Sequence, residues 1–349
     1  MGDFEYTLGL FANLYPSSDT DPHGIFIKRM ADSLKKRNIK VNLAVKTSKS
    51  VLAYPKFYLE SFSLQRMKEC DIFQAHYIPH SSVVPAILKN KRQPLVLKFH
   101  GDDGRIYPFK NRLYREITKY MIRKSDHVIT VSNELKQNLV SLGTYPDKIS
   151  VLGSGISTDK FIPLDKLDNR IKLSLPTETD IFLYIGRLHP WKGIKEIIET
   201  AKLHTNSLFY FIGFGEVPSH PENCIFLGTI PHDQIVFWIS AADCLLLPSY
   251  TEGLPNVLME ALSSERPVIA SNVGGCPEIV QNYKTGILIP PKDIDALSTA
   301  VQWMLDNENE RTKMGVLGRK EMIIHYEHET LIDKLVAIHN TLIEEYNER

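Results

Sequence analysis

The chain has 349 residues, 43% of them hydrophobic and 23% charged, with a formal net charge of zero. That length predicts two domains, and that balance excludes a disordered chain. No apolar run reaches the roughly 20 residues of a membrane span, and no N-terminal signal pattern precedes the first strand-like segment. The cysteines Cys70, Cys224, Cys244 and Cys276 lack zinc or redox spacing, so a soluble, reduced, cytoplasmic protein is expected. Charge is uneven: residues 1–165 carry 25 Lys/Arg against 16 Asp/Glu, and the remainder 16 against 25. A polarised molecule of this kind can place one half on an anionic surface.

In chain order, short apolar runs alternate with amphipathic ones. Strands are predicted over Tyr6–Ala12, Val41–Val45, Asp71–Tyr77, Pro94–His100, His127–Val131 and Ile149–Leu152. Helices fall between them, near Ile25–Arg37, Val83–Leu88, Leu113–Lys124 and Glu134–Leu142. The second half repeats the pattern, with strands Ile181–Ile185, Leu208–Ile212, Ile225–Leu227, Cys244–Pro248, Val268–Ala270 and Ile287–Ile289. Its helices lie near Ile194–His204, Asp233–Ala241, Asn256–Ser263 and Ile294–Leu305. Near-continuous apolar strands alternating with helices point to parallel sheets covered on both faces, hence to two doubly wound α/β domains. The periodicity lapses over Gly155–Thr179, and a final helix is predicted from His325 to Arg349. The expected division is a Rossmann-like domain over 1–160, another over 161–325, and a terminal helix over 326–349 that packs back on the first.

Ligands of open α/β sheets bind beyond the carboxyl ends of the strands, and the chemically suggestive residues gather there. His23-Gly24 follows the first strand, and His100-Gly101-Asp102-Asp103 follows the fourth. Gly186-Arg187 closes the first strand of the second half, with Lys192 five residues on and Gly213-Phe214-Gly215 after the next strand. Arg187, Lys192 and the amides of the following helix suit an anionic phosphate, although two solvated loop cations are the plainer reading of that segment alone. Gly213-x-Gly215 can be only a tight turn. In Glu252-Gly253-Leu254-Pro255-Asn256-Val257-Leu258-Met259-Glu260, a loop glycine and Pro255 open a helix whose first free amides favour a diphosphate. Glu252 stands before that helix, and Glu260 lies within reach of a ribose beside it.

At these residues the sequence resembles the retaining glycosyltransferases of family four, which have the GT-B fold of two Rossmann-like domains facing across a cleft. Glu252 and Glu260 match the family's E-x7-E signature, and Arg266–Val280 matches its downstream pattern. Gly186-Arg187 with Lys192-Gly193, Phe226-Leu227-Gly228 with Pro231, Ala241-Ala242-Asp243, His100-Gly101-x-Asp103 and Val131-Ser132-Asn133 match as well. Leu14-Tyr15-Pro16 with His23-Gly24-Ile25-Phe26 is similar to members that build cell-surface polysaccharides. The first loop has His23-Gly24 where the family has a double glycine, and Ser154-Gly155-Ile156-Ser157 replaces its usual Asn-Gly-Val-Asp.

The resemblance implies a hexosyltransferase that uses a UDP- or GDP-linked sugar as substrate, with no cofactor and no metal. Arg187 and Lys192 would bind the donor diphosphate, with Gly24 and Gly215 nearby. Gly253, Leu254, Asn256 and Val257 would hold the sugar and β-phosphate through backbone amides. Glu260 would bind the ribose, Ile230 would meet the base, and Glu252 would contact the donor sugar. His100 would contact the sugar and stabilise its developing cation, and Asp103 would lie on the acceptor side. The alternatives are a noncatalytic sugar-nucleotide-binding protein and a nonhydrolysing sugar-nucleotide epimerase; a nicotinamide dehydrogenase is disfavoured because no Gly-x-Gly-x-x-Gly follows the first strand.

The partners expected are a nucleotide sugar and a glycan or lipid-linked acceptor, with no nucleic acid. Arg112, Arg115, Lys119 and Arg123 recur at helical spacing, with Leu113, Ile117, Tyr120 and Met121 largely around another face. This basic face is either ordinary solvated surface or a contact with the inner face of an anionic membrane.

Overall fold

The computed structural model describes residues 5–18, 24–48, 50–90 and 92–348. His23 of the first loop lies outside them. The chain forms two compact units: Met1–Ser154 with Glu329–Arg349, and Gly155–His328.

The first unit holds β1 (Thr7–Ala12), β2 (Lys40–Val45), β3 (Ile72–His76), β4 (Leu95–Phe99), β5 (His127–Thr130) and β6 (Ile149–Val151). They make one parallel sheet in the order β2-β1-β3-β4-β5-β6. Strands β1, β3 and β4 are buried along their whole length, as sheet strands covered on both faces must be. The helix Ile25–Lys36 buries Ile27, Met30, Ala31 and Leu34, four positions at helical spacing, in a core shared with Leu8, Leu10 and Ile72. Leu331, Ile332, Leu335 and Leu342 of the final helix, His328–Asn347, complete that core.

The second unit holds β7 (Ile181–Ile185), β8 (Leu208–Ile212), β9 (Cys224–Gly228), β10 (Cys244–Leu247), β11 (Val268–Ser271) and β12 (Gly286–Ile289). Its parallel sheet runs β12-β11-β10-β7-β8-β9, the doubly wound order in which the winding reverses between β7 and β10. In the first sheet the reversal falls between β1 and β3.

Several helices went beyond the expectation: Tyr54–Gln65, Lys166–Lys172 within the lapse of periodicity, and Glu308–Glu321. On the helix Arg112–Lys124, the buried residues are Thr118, Met121 and Ile122. Leu113, grouped with the apolar face by spacing, is instead 68% exposed, because it sits in the first turn beyond the edge of the packing.

Candidate active site

In the second unit Arg187 and Lys192 follow β7 and Glu252 follows β10, the two strands between which the winding reverses, while Gly215 follows β8 and Ile230 follows β9. The chain leaves β7 through Gly186 and Arg187, and Tyr184 on the strand fixes that exit by donating its hydroxyl to the Arg187 carbonyl at 2.8 Å. The Arg187 guanidinium lies 5.6 Å from the Phe214 ring centre, a cation–π contact with the loop after β8. Gly215 of that loop pairs with Leu188. Lys192 ends the short turn Pro190–Lys192 that leads into the helix Ile194–Leu203. Its ammonium donates to Glu252 Oε1 at 2.6 Å, so one cation and one carboxylate from the two loops meet directly.

Glu252 is held from behind. Its carbonyl lies 1.9 Å from where a Cβ on Gly274 would stand, and Gly274 has φ +57°. Only glycine tolerates that approach and that backbone together. The next residue, Gly275, donates its N–H to the Gly253 carbonyl at 2.7 Å. The loop Thr251–Leu254 is thereby clamped against the loop after β11.

The helix Asn256–Ser263 begins at Pro255, which brings no side-chain cap to its first amides. An uncapped N-terminus presents N–H groups and a partial positive charge, the property that suits a phosphate. One turn from its end Glu260 is buried, and Oε1 is shared with His232 Nε2 at 3.1 Å. His232 stacks edge-on against Phe161 at 5.6 Å and meets Lys160 Nζ through its other nitrogen at 3.2 Å. Sequence reasoning missed His232, whose loop position after β9 carries no motif of its own. Ile230, two residues earlier, is half-buried against the core.

In the first unit, Gly24 caps the helix that follows β1, its carbonyl accepting from Ile27 N and Lys28 N. His100 leaves β4 between three rings: Phe26 and Tyr77 at 4.8 Å and His76 at 5.0 Å. Asp103 does not present its carboxylate outward, as an acceptor-side contact requires. It is 3% exposed and accepts from the backbone N–H groups of His100, Gly101 and Ile78 at 2.8–3.3 Å. Burial raises its pKa to about 6 against the pull of those N–H donors. Its observed work is to fasten the end of β4 to the end of β3.

Among the described residues, no three His, Cys, Asp or Glu side chains gather as a metal cluster, and no helix is long and apolar enough to cross a membrane.

Solved structures share this architecture. Sucrose-phosphate synthase from Thermosynechococcus elongatus superposes with a TM-score of 0.83 at 18% identity, over 98% of this chain and 100% of that one. Anabaena HepE in complex with UDP gives 0.78 at 17% identity, over 96% and 100%. The fold is that of the GT-B glycosyltransferases, two Rossmann-like domains each built on a six-stranded parallel sheet.

Sequence families agree along the chain. The model for glycosyl transferases group 1 matches residues 165–321, and that for glycosyltransferase family 4 matches residues 31–160. The putative teichuronic acid biosynthesis glycosyltransferase TuaC of Bacillus subtilis is 30% identical over 257 residues, 71% of this chain and 66% of that one. The capsular polysaccharide biosynthesis glycosyltransferase CapM of Staphylococcus aureus is 26% identical over 237 residues, 62% of each. The chain belongs to the family 4 glycosyltransferases.

Proposed function

We propose that the protein transfers a hexosyl group, with retention and without a metal, from a UDP- or GDP-linked sugar to a glycan or lipid-linked acceptor of cell-surface polysaccharide. One observation carries the reading: at the reversal of the second sheet Lys192 pairs with Glu252, Arg187 follows β7 and a helix with an uncapped N-terminus follows β10. A site of that make-up suits a diphosphate bearing a sugar. The names of TuaC and CapM support a polysaccharide product, and UDP in HepE supports the donor class.

In the transfer, the bond between the sugar's anomeric carbon and the β-phosphate oxygen breaks. The acceptor oxygen forms the new bond on the same face, and its proton passes to the departing phosphate. Arg187, Lys192 and the amides of Asn256 and Val257 stabilise the charge that develops on that phosphate. Glu252, held by Lys192 and the Gly274 turn, faces the cationic sugar. Glu260 takes the ribose, with His232 positioning its carboxylate, and the segment Gly228–Ile230 meets the base. His100 acts at the sugar and Asp103 positions the backbone that carries it. The exposed Phe109 and Leu113 beside Lys110, Arg112 and Arg115 suit a peripheral contact with the inner face of the membrane, where a lipid-linked acceptor resides.

The test is transfer of a labelled sugar from a panel of UDP- and GDP-linked hexoses, with Lys192→Ala beside the wild type. One charge-assisted contact is worth about 1.5–3 kcal/mol, so Lys192→Ala should lose roughly ten- to a hundredfold in kcat/KM. Nucleotide-sugar binding with neither transfer nor sugar release across the panel would sink the reading.

A further inference from the structure

Behind His100 runs a chain of buried polar side chains, all within the first unit. Tyr6 Oη meets His339 Nδ1 at 2.8 Å, and His339 Nε2 meets Gln74 Oε1 at 2.8 Å. Gln74 Nε2 meets His76 Nε2 at 2.6 Å, and His76 Nδ1 meets His100 Nε2 at 2.9 Å. Tyr6, Gln74, His76 and His339 are each at most 4% exposed. Buried polar groups are kept only when satisfied, and here each link requires one donor and one acceptor.

A neutral imidazole has one N–H and one lone pair, so fixing one link fixes every other. The Gln74 amide supplies that choice. Its Nε2 also lies 3.6 Å from Met30 Sδ, the geometry of an N–H pointing at sulfur. Turning the amide round would set its carbonyl oxygen against the sulfur lone pairs. It would also make the Tyr6 oxygen the acceptor of His339 Nδ1–H and take from the buried Tyr6 proton its acceptor. The direction is therefore Tyr6 O–H to His339 Nδ1, His339 Nε2–H to Gln74 Oε1, Gln74 N–H to His76 Nε2, and His76 Nδ1–H to His100 Nε2. His100 keeps its proton on Nδ1.

We propose that Tyr6, His339, Gln74 and His76 form a one-way hydrogen-bond relay that holds His100 as a donor through Nδ1, giving a hydrogen bond to a sugar hydroxyl and not accepting a proton. Neutral rings are needed throughout, and the surroundings provide for that. Burial and the nearby Lys98 ammonium push the pKa of His76 and His100 well down and that of His339 to about 3. The four residues are positioning residues. The role of His100 at the sugar rests on the transferase reading above; the relay and its direction do not.

The experiment is nitrogen-15 NMR of the full chain with labelled histidine, which distinguishes the two neutral tautomers of each ring. The expected wild-type spectrum shows His76 and His100 protonated on Nδ1 and His339 on Nε2. Protonation of His100 on Nε2, or a doubly protonated His76 at neutral pH, overturns the relay. In Gln74→Met the amide that sets the direction is gone, so His76 and His100 should each show both tautomers. Tyr6→Phe keeps the amide and should leave them unchanged. A His100 that stays wholly on Nδ1 in Gln74→Met overturns the assignment to Gln74. If Gln74→Met does not fold, the wild-type spectrum still decides the direction. Mixed tautomers in Gln74→Met should lower kcat by up to roughly tenfold, the scale of one hydrogen bond, with donor KM unchanged. The tautomer change without any change in kcat supports the relay and counts against His100 acting at the sugar.

Discussion

Glu252 and Glu260 sit eight residues apart, yet their surroundings differ. Glu252 neutralises Lys192 at 2.6 Å, whereas Glu260 is buried beside His232. In Glu252→Gln the Lys192 charge is released, so affinity for UDP or GDP should hold or rise while turnover falls. In Glu260→Gln a charged acceptor is lost, and nucleotide affinity should drop about tenfold. Calorimetry with the diphosphates, set beside initial rates, checks both, and an affinity loss confined to Glu252→Gln would reverse the assignment. These two carboxylates were legible in the sequence because a strand, a glycine loop and a helix start frame them. His232 was not, since it reaches Glu260 from 28 positions upstream. Gln74 and His76 were hidden for another reason: on a strand buried on both faces, two polar residues in alternation break no pattern.

Among the elements, Asp243 at the start of β10 ties the second unit together. Its carboxylate takes Arg170 at 2.6 Å, Lys166 at 2.8 Å and the Ile181 N–H at 2.7 Å, with Arg311 at 3.5 Å. Two helices and the first residue of β7 thus close on one buried carboxylate. Removing one partner of a buried ion cluster costs about 3–5 kcal/mol, and Asp243→Asn should lose that much in urea unfolding. The cations hold its pKa below the ordinary carboxylate value despite burial. An acid group lowered in the folded state stabilises it above the unfolded pKa of about 3.9 and loses that contribution as pH falls through the folded value. The acid limb of the wild-type stability curve should therefore be shallower in Asp243→Asn. The helices that close this cluster are the ones periodicity did not reveal. Lys166–Lys172 spans only seven residues, mostly polar. Glu308–Glu321 carries Gly315 and Gly318, poor helix formers that are there for close packing. A Cβ on Gly315 would stand 2.1 Å from the Glu265 carbonyl. The strands, by contrast, announced themselves as apolar runs, and all twelve expected positions carry one.

Over the whole molecule, the charge asymmetry seen along the sequence survives the final helix joining the first unit. That unit holds 26 Lys/Arg and 19 Asp/Glu, and the second holds 15 and 22. With exposed Leu113 and Phe109 among the cations of the first unit, binding to anionic vesicles is expected. It should weaken with salt and fall in Arg112→Glu with Lys119→Glu, since each basic residue near such a surface contributes about 1 kcal/mol. Sedimentation with vesicles of anionic lipid at low and high salt tests this; no pelleting at low salt would leave a soluble acceptor as the better reading.

The first unit takes its last segment from far along the chain: 174 residues, 155–328, separate Ser154 from Glu329. A ribosome adding about 5–20 residues per second needs roughly 10–35 s to cross that interval. Throughout it, the sheet that carries His100 lacks Leu331, Ile332, Leu335 and Leu342 from its core and His339 from behind Gln74. The nascent chain therefore holds an unfinished first unit while the whole of the second is being made. Synthesis itself sets the order in which the two halves mature, and a chain broken off before residue 329 leaves Gln74 without its His339 partner.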